Sequence, residues 1–101
     1  MQTAATMTAH KKIATHQAED LALRTLTYIA SDDERLGRFL DVTGLRPETI
    51  RTAATSPGFL AAVLDYVAAD EPLLVGLAQS LDLKPERIME ARWTLSPTDF
   101  E

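Results

Sequence analysis

The sequence predicts an all-α protein, and three observations support this fold class. Apolar residues recur at the three- and four-residue spacing of amphipathic helices through most of the chain. Proline, glycine and aspartate divide these segments into short lengths, at places where helices begin or end. No stretch shows the period-two pattern of β-branched residues that marks a strand. The 101 residues, 46% of them hydrophobic, are therefore predicted to form one compact bundle of about six short helices.

The chain contains an internal repeat with an offset of thirty-eight residues. Residues 26–53 align with residues 64–91 without a gap, and ten of the twenty-eight aligned positions are identical. The aspartates and the Pro-Glu pairs that mark helix boundaries fall in register in the two copies. The repeat predicts two pseudo-equivalent halves of three helices each. The alternative is that two Ala/Leu-rich segments converged on the same helix-boundary residues.

The first half is divided by recognisable helix starts and stops. The run "SDDE" begins its second helix, with Asp32 or Ser31 as the N-cap. Gly44 can adopt the left-handed conformation that ends this helix. Pro47 suits the first position of the third helix, where Glu48 complements the helix dipole. The predicted inward positions of the first two helices are Ala18, Leu21, Ala22, Leu26, Ile29, Leu36, Phe39, Leu40 and Thr43.

The second half repeats this scheme. Ser56 caps and Pro57 opens a helix whose run "FLAAVLDYVAA" is apolar on nearly every side, so we expect it to be the central, most buried helix. Asp70 begins the next helix and Pro85 the last one. Their predicted inward residues are Leu73, Leu74, Leu77, Ala78, Leu81, Ile88, Ala91 and Leu95. The predicted domain spans residues 17–95, between a flexible leader (1–16) and a C-terminal tail (96–101).

Three segments carry a resemblance to a known family. They are "RFLDVTGLRPETIR" (38–51), "FLAAVLDYVAADEPLL" (59–74) and "LKPERIMEAR" (83–92). In order and spacing they resemble a small alphaproteobacterial family called Domain of Unknown Function 3572, over roughly residues 18–95. The resemblance implies a compact helical domain. It assigns no activity and no catalytic residue.

Composition and spacing argue against enzymatic and metal sites. The chain has no cysteine, which excludes disulfides, thiolate catalysis and cysteine-based zinc sites. His10 and His16 are six residues apart, a spacing that places them on different faces of a helix. The acidic clusters at 32–34 and 70–71 lack the alternating ligands of a calcium loop, and helix capping explains both. No serine lies in a nucleophile elbow. The sequence predicts no enzyme, metal or cofactor.

Charge and hydropathy bound the location and the partners. The net charge of −5 disfavours nucleic acid and anionic membranes as partners. No apolar run is long enough for a membrane span, and the N-terminal residues lack the apolar region of a secretory signal. We therefore expect a cytoplasmic protein.

Two functions remain open at the level of sequence. The segments "FLDVTGLRPETIRTAA" and "LAQSLDLKPERIMEAR" have the layout of a helix-turn-helix, which makes a nucleic-acid-binding regulator the alternative hypothesis. The favoured hypothesis is a protein–protein interaction module, because large or amphipathic side chains are enriched at interface hot spots. Tyr28 and Tyr66 are side chains of this kind whose placement the pattern leaves ambiguous. The predicted partner-binding residues are Arg51, Arg87, Met89 and Trp93.

Overall fold

A computed structural model describes residues 14–95, apart from the side chain of Pro57. This part of the chain is all-α, without a strand, and the predicted fold class is confirmed. None of its helices combines the length and the apolar character that crossing a membrane requires. The helices are α1 (Thr15–Ala30), α2 (Asp33–Thr43), α3 (Pro47–Ala53), α4 (Pro57–Ala68), α5 (Glu71–Leu81) and α6 (Pro85–Leu95).

The helix boundaries follow the thirty-eight-residue repeat. Helices α1 and α4 end at equivalent alanines, α2 and α5 have equivalent first and last residues, and α3 and α6 both begin at a proline. Helices α2 and α5 are each followed by a residue in the left-handed conformation, with φ of 74° at Gly44 and 57° at Asp82. Asp82 lacks the backbone freedom of a glycine, but aspartate tolerates the left-handed conformation better than most residues. The repeat in the sequence is therefore a repeat of helix boundaries.

The core forms where α1, α4 and α6 pack against one another, with α2 beside α1 and α5 beside α4 and α6. Helix α4 is central, as predicted, and its Val63, Leu64 and Val67 are fully buried. Burying apolar surface in this way is the main force that stabilises such a small domain. The buried apolar residues are Ala18, Leu21, Ala22, Ile29, Phe39, Leu60, Ala61, Val63, Leu64, Val67, Leu77, Ala78, Ile88 and Ala91.

The third helices of the two halves differ, which limits the equivalence of the halves. Helix α6 has 11 residues and inserts the fully buried Ile88 and Ala91 against α1 and α4. Helix α3 has 7 residues and buries none of them fully. Ile50, the equivalent of Ile88, is only partly buried at the edge of the core. The two halves therefore share their first two helices, but only the second half contributes its third helix to the centre.

Several predictions about single residues need correction. Thr43 is exposed instead of inward, and its hydroxyl donates to the Phe39 carbonyl at 2.8 Å. Ser31 is the C-cap residue of α1 and does not begin α2; Asp32 is the N-cap residue of α2. Ser56 precedes α4 as predicted, but its side chain makes no capping hydrogen bond. Thr25 is fully buried, which the pattern did not predict, and its hydroxyl donates to the Leu21 carbonyl at 2.8 Å.

The predicted ends of the chain lie largely outside the described residues. Helix α1 begins at Thr15, inside the segment 1–16 that was predicted to be a flexible leader. Residues 1–13 of that leader, and the predicted tail 96–101, lie outside the described residues.

Candidate functional site

The outward side of α6 carries four residues that form a candidate site. Ile88 and Ala91 point into the core, so at 3.6 residues per turn the opposite side of the helix carries Glu86, Met89, Glu90 and Trp93. We call these four residues the outer face of α6. They line a concavity of about 460 Å³.

The outer face of α6 exposes two large apolar side chains. Trp93 is 65% exposed and Met89 is 36% exposed. They are four residues apart on one helix, a spacing that makes their side chains neighbours. Trp93 and Met89 were both predicted as partner-binding residues from the sequence, and the structure brings them together. An exposed tryptophan beside a methionine leaves apolar surface in water that a partner could cover.

The acidic residues of the outer face form a second row beside the apolar one. Glu86 and Glu90 are also four residues apart. Because each residue along a helix is rotated by about 100° from the one before it, this pair lies beside the Met89–Trp93 pair on the helix surface. Glu90 accepts a hydrogen bond from Arg87 Nη1 at 2.9 Å. Within residues 14–95, Glu86 has no ion-pair partner. The face therefore presents an apolar row and a negatively charged row side by side.

The two predicted arginines lie apart from this pair of rows. Arg87 borders the outer face through its bond to Glu90, but its side chain lines a different concavity, of about 470 Å³, between α1 and the start of α6. Asp20 and Arg24, which form an ion pair of 3.2 Å, line the α1 side of that concavity. Arg51 is exposed on α3 and lines neither concavity. The four predicted residues thus occupy three places.

The first copy of the repeat lacks an equivalent of the outer face. At the same offset of thirty-eight residues, which for Trp93 runs two residues beyond the aligned segments, Arg51, Thr52 and Thr55 occupy the positions of Met89, Glu90 and Trp93. All three of these first-copy residues are exposed and polar. The first copy forms the shared helix boundaries with polar residues at these positions. The apolar side chains of Met89 and Trp93 are therefore not needed for those boundaries.

A third concavity, of about 250 Å³, lies where the two halves meet, and the sequence did not predict it. The equivalent tyrosines Tyr28 and Tyr66 line it together, with the equivalent N-cap residues Asp32 and Asp70. The Arg35 guanidinium lies over the Tyr28 ring, 4.0 Å from its centroid. The register of the two Tyr-x-x-x-Asp segments was the available signal for this meeting point.

The two tyrosines share this cavity but have different neighbours. Tyr28 approaches α5 so closely that a Cβ atom at Gly76 would lie 2.7 Å from the tyrosine oxygen. Tyr66 packs edge-on against Phe39, with ring centroids 5.0 Å apart. Burial raises the pKa of Tyr66 above its usual value; the Arg38 charge lowers it and the Asp70 charge raises it further. Tyr66 is therefore a neutral phenol at physiological pH.

The charges around the concavity that the two tyrosines line are largely paired with one another. Arg35 Nη1 lies 3.6 Å from Asp32 Oδ2, and Arg38 Nη1 lies 4.0 Å from Asp70 Oδ2. Arg35 also donates to the Tyr28 carbonyl at 3.3 Å. The Arg35 contacts join the end of α1 to the start of α2, and the Arg38–Asp70 contact joins α2 to the start of α5. The Arg38–Asp70 contact therefore connects the two halves where they meet.

Residues 14–95 contain no group of three or more side chains that could together hold a metal ion. His16 is exposed at the start of α1, whereas His10 lies outside the described residues. The acidic residues at 33–34 and at 71 lie in the first turns of α2 and α5, where negative charge interacts favourably with the helix dipole.

The fold and the outer face of α6 define a small all-α domain with an exposed apolar row. Residues 15–98 match the model of a family described as "Protein of unknown function (DUF3572)", and the chain belongs to this family. The family predicted from the three sequence segments is thus confirmed. No curated protein and no solved structure matches the chain.

Proposed function

We propose that this protein is a non-enzymatic protein–protein interaction module that docks its partner on the outer face of α6. The single observation that carries this proposal is Trp93, which is 65% exposed on the side of α6 opposite the core. Tryptophan is among the residues most enriched at interface hot spots, because it brings a large rigid apolar surface. Met89 beside it extends that surface with a flexible side chain that adapts to a partner.

Short connections between helices are the feature that favours the alternative function. Three residues join α5 to α6, and three join α2 to α3. In the α5–α6 unit, however, the second helix presents Glu86 and Glu90 together with two apolar side chains. Carboxylates repel DNA phosphates, and a recognition helix needs polar or basic groups to reach base edges. This favours a protein partner over DNA. Arg51 on α3 and Arg87 on α6 are the residues through which the alternative would act.

A cytoplasmic location and an alphaproteobacterial origin belong to the same proposal. Both come from the sequence: the absence of cysteine favours the cytoplasm, and the resemblance in three segments favours the origin.

Affinity capture from the native cell tests the proposal, with the wild-type chain compared with Trp93→Ala. Removing a hot-spot side chain commonly costs about 2 kcal/mol or more, which corresponds to roughly thirtyfold weaker binding. Val42→Ala is the matched control, since Val42 is 67% exposed on α2. We expect a specific protein that Val42→Ala retains and Trp93→Ala loses, while both variants stay folded. Equal capture by both variants would show that Trp93 does not contribute to partner binding.

Titration with mixed-sequence duplex DNA at low salt tests the alternative. The interaction module should cause no shift in DNA mobility. A DNA complex whose affinity falls steeply with salt, and which Arg51→Ala or Arg87→Ala weakens, would replace our proposal with the helix-turn-helix function.

A further inference from the structure

We infer that the segment docking on α6 is a basic amphipathic helix, with an apolar side on Met89 and Trp93 and Lys or Arg side chains beside Glu86 and Glu90. This inference rests on the proposed function and names the chemistry of its partner. An amphipathic helix that lays its apolar side against a surface is a common mode of peptide recognition.

The two parallel rows of the outer face carry the inference. Met89 and Trp93 form one row, and Glu86 and Glu90 form the other. A partner helix whose apolar stripe runs beside a basic stripe matches both rows at once. An acidic or neutral partner would instead leave the Glu86 carboxylate, which has no ion-pair partner within residues 14–95, desolvated beside it.

Trp93 itself also favours a basic partner. A lysine or arginine cation over an indole ring is attracted by the negative face of the ring, and tryptophan is the best aromatic residue for this contact. The glutamates beside the ring would hold the same cation by charge. The net charge of −5 on the whole chain speeds the approach of a basic segment.

A second copy of this chain fits the face less well. In a two-fold symmetric dimer the same patch meets itself, so each copy would bring Glu86 and Glu90 to a patch that carries the same two carboxylates. Like charges brought together at an interface are unfavourable. The charge pattern therefore selects a different chain as the partner.

Intrinsic fluorescence provides the test, because Trp93 is the only tryptophan in the chain. The probes are a synthetic amphipathic Leu/Lys helical peptide and its twin with Glu in place of every Lys. Neither peptide contains tryptophan, so the emission reports the outer face alone. We expect the Leu/Lys peptide to shift Trp93 emission to shorter wavelength, and the Leu/Glu twin to leave it unchanged.

The repeat supplies a matched control for the charges. Glu86→Gln with Glu90→Gln should weaken binding of the Leu/Lys peptide roughly threefold to tenfold, the effect of losing two exposed ion pairs. Glu48→Gln changes the equivalent residue of the first copy and should leave binding unchanged. Glu86→Gln alone should weaken binding without disturbing the Arg87–Glu90 pair.

Three results with the peptides would overturn the inference. One is equal binding of both peptides, and another is binding that the glutamine variants do not weaken. The third is no shift with either peptide. In each case capture of a protein through Trp93 would still support the proposed function, so the two can fail separately. A shift that depends on protein concentration without any peptide would identify a second copy as the occupant.

Discussion

At the scale of single residues, the repeat offers a natural comparison between Asp32 and Asp70. Both are N-cap residues with extended backbone, at equivalent positions of α2 and α5. Only Asp70 caps its helix with its side chain, accepting a hydrogen bond from the Leu73 N–H at 3.2 Å. The Asp32 side chain instead lies near Arg35, at 3.6 Å, in a partly exposed ion pair. The same residue type thus serves different purposes in the two copies.

This difference predicts unequal effects of the same substitution. Asp70→Ala should lower the free energy of unfolding by about 1 kcal/mol, because an N–H at the start of α5 loses its acceptor. Asp32→Ala should lower it by less than about 0.5 kcal/mol, because exposed ion pairs contribute little. Urea denaturation of both variants measures the difference. Equal losses would mean that the Asp70 hydrogen bond does not stabilise α5.

The residue scale also shows where sequence reasoning succeeds and where it does not. The left-handed end of α2 was predictable, because Gly44 suits that conformation better than any other residue. The exposure of Thr43 was not predictable. Helical spacing indicates which side of a helix a residue lies on, but not whether the last turn of that helix is covered by the rest of the protein. The Asp32 side chain could bind either Arg35 or an N–H group at the start of α2. Which of the two it binds depends on side-chain geometry that residue spacing does not encode.

At the scale of helices, α4 is the element that the sequence predicted best. A run that is apolar on nearly every side has to be surrounded by other helices, and α4 contacts α1, α5 and α6. Its length follows from Pro57 at the start and from the aspartate that begins the next helix.

Leu64, fully buried on α4, provides the test of this central position. Leu64→Ala should lower the free energy of unfolding by about 2–5 kcal/mol, through lost burial and the cavity left behind. Leu23→Ala is the control, since Leu23 is 41% exposed on α1 and should cost less than about 1 kcal/mol. Denaturant titration measures both losses. A loss below about 1 kcal/mol for Leu64→Ala would contradict the central place of α4.

Helices α3 and α6 show what the repeat could not predict. Each begins with a proline and a glutamate and follows a basic residue, so local sequence makes them look alike. Helix α3 is cut short because Ser56 and Pro57 begin the next helix soon after it, whereas α6 continues to Leu95. Which of the two fills the space between α1 and α4 is decided by tertiary packing, and boundary residues carry no information about that.

At the scale of the whole molecule, the candidate site was only partly predictable. Met89 and Trp93 could be selected from the sequence as large side chains without a clear place in the core, and they lie together on the outer face of α6. Arg51 and Arg87 do not lie beside them: Arg51 lies on α3, and the Arg87 side chain lines the concavity between α1 and the start of α6. Glu86 and Glu90 were missed as members of the site. Their positions relative to Trp93 on one helix would have indicated them.

The central claim is that Trp93 is open to solvent in the free protein and covered when the partner binds. Acrylamide quenching of its fluorescence tests this directly, because no other tryptophan contributes. We predict quenching in the free protein near that of a tryptophan in solution, and strong protection once the captured partner is added. A Trp93 already shielded in the free protein, or one that stays equally quenchable in the complex, would contradict the claim.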